Sequence, residues 1–78
     1  MNRYVPLRAR IDALADAQAA LLSTEDRLRR EGWPAEGLRA RIVQRVNAIG
    51  LRMSWLEGLA YDEMIDARIE ADRLGRSA

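Results

Sequence analysis

Seventy-eight residues with no cysteine, no histidine and no lysine leave few chemistries open. Without thiols there is no disulfide framework and no thiolate metal site, and without imidazole the commonest general base and the commonest zinc ligand are both missing. The formal net charge is only +1, so the field of the whole molecule gives no general attraction to nucleic acid or to an anionic membrane.

The length fits a single helical domain, 1–78, near the lower limit for one unassisted core. Apolar content comes mostly from Ala, Leu and Ile, which favour helix, and the few prolines and glycines sit at plausible helix ends. All thirteen basic residues are arginine. That bias is spread over the whole chain and points to coding composition. Its distribution is more informative. Residues 1–34 carry six arginines and five acids, residues 35–56 four arginines and Glu36, and residues 57–78 three arginines and six acids. A basic middle and an acidic end suggest that the two face each other.

In chain order, Met1 to Val5 is expected to be a short extended arm, with Pro6 at the first helical position, where its missing N–H costs nothing. Leu7, Ile11, Leu14, Leu21 and Leu28 then follow a heptad-like pattern whose intervening seam positions are Gln18 and Glu25. Polar seam residues fix register or partner number. This helix could therefore pair with a second copy of itself as readily as with its own chain, and Leu14, Gln18, Leu21 and, further on, Leu51 are candidate self-association residues. One helix to about Glu31 is expected, with a possible bend at Ser23, where acids follow a potential N-cap. Arg29 and Arg30 suit the last turn and Gly32 the C′ position.

Trp33 precedes proline and should be extended, plugging one end of the bundle, while Pro34 opens the second helix. Ala35, Leu38, Ile42, Val46, Ile49, Met53, Leu56 and Ala60 form its core stripe. Leu51, Trp55 and Leu59 lie on a different side, and Arg41, Arg45 and Arg52 fall in the sector beside Trp55 and Leu59. In the plainer reading the arginine stems cover apolar surface and Trp55 is core or interface. In the sharper one Trp33, Arg41, Arg45, Arg52, Trp55 and Leu59 bind a partner, the arginines holding its phosphates or carboxylates. Gly50 interrupts this helix and Gly58 is expected to end it. Asp62 then caps a third, shorter helix with a narrow face of Tyr61, Met64, Ile65 and Ile69. The acids Asp62, Glu63, Asp66 and Glu70 read as a solvated or ion-pairing face, since no calcium-loop pattern accompanies them.

No phosphate-binding glycine loop, nucleophile elbow or zinc-ligand spacing occurs, and no metal or cofactor site is indicated. No stretch reaches the ~18–20 apolar residues of a transmembrane helix, and no apolar leader is visible, so a cytoplasmic location is expected.

Leu7-Arg8, Ile11-Asp12, Leu14, Leu21-Leu22 and Leu28 resemble the long first helix of the all-helical chorismate mutases. The resemblance covers about one-third of the chain. It implies a dimer of three-helix chains in which Arg8 would bind a substrate carboxylate. The family's second carboxylate-binding arginine falls on Glu25 and its active-site lysine has no counterpart, so the resemblance carries architecture and not activity.

These readings converge on an all-α, three-helix domain, with a long first helix antiparallel to a central helix, a shorter C-terminal helix and dimeric association. The expected function is non-enzymatic protein binding, as a small adaptor or inhibitor of a larger complex. Size alone suggests a phage or mobile-element accessory protein. The alternatives are nucleic-acid binding through the arginine-rich central helix and a chorismate mutase-like enzyme.

Overall fold

Two heptad seams build this molecule. The computed structural model describes residues 2–76, in which α1 spans Tyr4–Arg30 and α2 spans Leu38–Arg76, packed antiparallel as a hairpin. On α1 the seam is Leu7, Ile11, Leu14, Gln18, Leu21, Glu25 and Leu28. On α2 it is Ile42, Val46, Ile49, Met53, Leu56, Ala60 and Glu63. Each set steps by four and three residues, and every member is buried or half-buried. The driest point is Ile11 against Leu56 and Ala60, with Leu7, Leu14, Met53 and Leu59 packed around them. Polar residues set the register on either side. The Gln18 amide donates to the Val46 carbonyl at 3.2 Å, Arg39 meets Glu25 near the loop, and Arg3 meets Glu63 at the open end.

The loop follows from its glycines. The Trp33 N–H donates to Leu28 O and the Gly32 N–H to Arg29 O, with Gly32 at φ +87, a Schellman closure of α1. Gly37 at φ +70 is barred from the α region, so α2 begins only at Leu38, its first turn closed by the bond from Arg41 N to Gly37 O. The expected start at Pro34 is thus corrected by one short turn. At the other end α1 begins earlier than expected. Tyr4 and Val5 are helical rather than an extended arm, because Asn2 Oδ1 accepts from Tyr4 N and Pro6 still falls in the first turn. Met1 lies outside the described residues.

The expected third helix does not form as a separate element. α2 runs unbroken through Gly50, Gly58 and Asp62 to Arg76. The seam explains why: Met53, Leu56, Ala60 and Glu63 carry the heptad straight across the expected break. A helical glycine costs only about 1 kcal/mol, less than the burial of one leucine such as Leu56. Ser23 does not interrupt α1 either, and its neighbour Thr24 bonds back to Ala20 O within the helix.

α2 outruns α1. Cross-helix bonds end at Glu63, and residues 66–76 are exposed throughout. The molecule is a rod of 66 × 15 × 14 Å with an accessible surface of 6140 Å². A compact monomer of its 8.9 kDa would expose about 4,800 Å².

Candidate functional site

One flank of α2 is turned about 100° from the seam and borders α1 along one edge. Along it Arg41, Arg45, Ala48, Arg52, Trp55, Leu59, Asp62, Asp66 and Ile69 again step by four and three, a second heptad rotated from the first. All are exposed except Leu59, which is half-buried against Leu56 and Ile11. Leu51, 76 % exposed, and Trp55, 57 % exposed, form the apolar centre of this face. The Arg52 guanidinium stacks over the indole, 5.2 Å from the ring centroid. A shallow groove of about 170 Å³ between Leu14, Arg45, Ala48, Ile49 and Arg52 runs beside it.

The structure therefore brings Arg41, Arg45, Arg52, Trp55 and Leu59 together as one surface. Trp33 is not part of it. That indole sits half-exposed in the loop, and the helical rise puts it roughly 25 Å along the rod from Trp55. It does not plug the bundle, since a two-helix hairpin has no enclosed end. Leu14, Gln18 and Leu21 face the chain's own α2, whereas Leu51 is exposed.

Charge on the outer face is divided. Among the described residues Arg41, Arg45 and Arg52 take part in no ion pair, and neither do Asp62 and Asp66. The basic group occupies the loop-proximal half and the acidic group the distal half.

On the seam the two carboxylates are matched. Glu25, 5 % exposed, accepts from Arg39 Nε at 3.0 Å and from Arg29 Nη2 at 2.8 Å. Burial pushes its carboxyl up, but the Arg39 hydrogen bond and the charge of Arg29 more than offset this and hold it below its ordinary value. Glu63 is likewise held down, by hydrogen bonds from the Arg3 side chain and backbone N–H. Sequence reasoning missed both clasps. The available signal was an acid at a seam position, which needs a cation across the helix pair. Arg8, on the surface, pairs with Asp12 at 3.5 Å. Glu25, where the chorismate mutase pattern needs a second arginine, is already taken up by Arg29 and Arg39.

Among the described residues no cluster of acids is placed to hold a metal ion, and no helix is long and apolar enough to cross a membrane. No family model, curated protein or solved structure matches this chain.

Proposed function

We propose that this protein is a non-enzymatic helical interaction module that docks on another protein surface through the outer face of α2. One observation carries the reading. Twelve large apolar side chains are exposed among the described residues while six apolar residues are buried, and Leu51, Trp55 and Ile69 line that one side of α2. An exposed apolar centre anchored by tryptophan and flanked by arginines is the composition of a protein-binding hot spot. A small cytoplasmic adaptor or inhibitor, of the kind phage and mobile elements encode, is the form of module that suits this size.

The second reading is nucleic-acid binding, favoured by the unpaired Arg41, Arg45 and Arg52 stepping along one helix face. Asp62 and Asp66 on the same line oppose it, because they would meet the same phosphate backbone. Capture on immobilised protein before and after nuclease treatment, with Trp55→Ala as control, separates the two. Protein binding predicts nuclease-resistant capture that Trp55→Ala abolishes. Capture lost entirely to nuclease overturns the reading.

A further inference from the structure

The outer face of α2 is complementary to itself. Its loop-proximal half offers Arg41, Arg45 and Arg52 without acidic partners, its distal half Asp62 and Asp66 without basic ones, and Leu51, Trp55 and Leu59 lie between. A parallel neighbour would set arginine on arginine. An antiparallel one sets each basic half on an acidic half and brings the apolar centres together.

Resting on the interaction-module reading, we infer that a second copy of this chain occupies this face, with the two α2 helices antiparallel about a two-fold axis at Glu57. That residue is the midpoint of Leu38–Arg76, so the axis overlaps the whole length of both helices. In an antiparallel heptad seam the facing residue numbers have a constant sum. Centred on Glu57, the second heptad sets Trp55 against Leu59 of the other copy and Arg52 against its Asp62, each twice by symmetry. Arg45 comes within one helical turn of Asp66 of the other copy. The protruding end of α2, whose residues 66–76 are exposed, lies along the loop-proximal half of its neighbour. Ile69 is covered there by the Arg45 stem.

The surface area agrees. The rod exposes roughly 1,300 Å² more than a compact monomer of its mass. A standard interface covers about 800 Å² on each partner. With no cysteine to form a disulfide, association is one route by which so thin a core is stabilised.

The test is light scattering and sedimentation on the full chain and on two charge variants. Arg41→Glu, Arg45→Glu and Arg52→Glu together make the face wholly acidic, and Asp62→Arg with Asp66→Arg makes it wholly basic. The changed residues are exposed and off the intramolecular seam, and circular dichroism verifies the hairpin in each. Wild type is expected to be a dimer. Each variant alone should be monomeric or bind itself about a hundredfold more weakly, and an equimolar mixture should form a one-to-one heterodimer. If wild type is dimeric but both variants alone remain so, a different face mediates association and the inference is overturned. A wild type monomeric up to high micromolar concentration also overturns it, yet leaves the interaction-module reading standing if Trp55-dependent, nuclease-resistant capture of a different protein is observed.

Discussion

Arg39 reaches across the hairpin to hold Glu25 at 3.0 Å, and its other arm donates to the Trp33 carbonyl at 2.9 Å. One guanidinium thereby ties the seam of α1, the loop and the first turn of α2 together. The same carboxylate also receives Arg29 from within α1, but the two arginines are not equivalent. The Arg39 side chain is 16 % exposed and that of Arg29 62 %.

Removing the buried partner should therefore cost more than removing the exposed one. Arg39→Ala leaves a buried carboxylate half-matched and a loop carbonyl unpaired, and a drop of several degrees in melting temperature is expected. Arg29→Ala should leave the melting temperature nearly unchanged, as surface pairs usually do. Thermal unfolding followed by circular dichroism compares them directly, and equal effects would show that Arg39 does not organise the loop.

Acid should loosen both clasps of the hairpin. Glu25 and Glu63 have folded-state values below the ordinary 4.5, so each contributes stability that is fully present above that value. The contribution shrinks as pH falls past 4.5 toward the depressed folded values, and is absent once both carboxyls are protonated. Denaturant midpoints measured from pH 7 to pH 2 should thus fall in the acid range. Glu25→Gln combined with Glu63→Gln should flatten much of that dependence.

The two ends of the glycine scale make opposite predictions. Gly58 is helical, solvent-facing and has nothing within 4 Å of an added Cβ, so Gly58→Ala should raise stability by roughly 0.5–1 kcal/mol. Gly37 has equally open space but sits at φ +70, so Gly37→Ala should lower stability by about 1 kcal/mol through backbone strain alone. Chemical denaturation of both variants checks the signs. A destabilising Gly58→Ala would argue for a helix break there after all.

The thin core should be intolerant of truncation. Leu56, 2 % exposed, and Ile11, 1 % exposed, face one another at the driest layer. Leu56→Ala is expected to cost about 2–5 kcal/mol, a large share of the stability available to a domain this small. Leu51→Ala, on the open face, should leave the unfolding of the hairpin itself within about 0.5 kcal/mol of wild type.

Much of the hairpin was legible because helical seams are written locally. The heptad from Leu7 to Leu28, the stripe from Ile42 to Ala60 and the C′ role of Gly32 are all matters of spacing and backbone preference. The same holds for grouping Arg41, Arg45, Arg52, Trp55 and Leu59 on one sector of α2. The error at Gly58 and Asp62 came from giving a local breaker more weight than a seam that continues past it. The Glu25–Arg39 clasp stayed hidden since fourteen residues separate its members and only the antiparallel register joins them.

By itself, then, the sequence determined the helical class, the two apolar seams, the polarity of charge along α2 and the absence of thiol and imidazole chemistry. Each depends on residue type or on neighbours within one or two turns. Only the tertiary structure decided that there are two helices rather than three, that Leu14, Gln18 and Leu21 are used within the chain, and that the second seam is left uncovered. Those outcomes depend on where α1 stops relative to α2, a register set by packing between residues tens of positions apart.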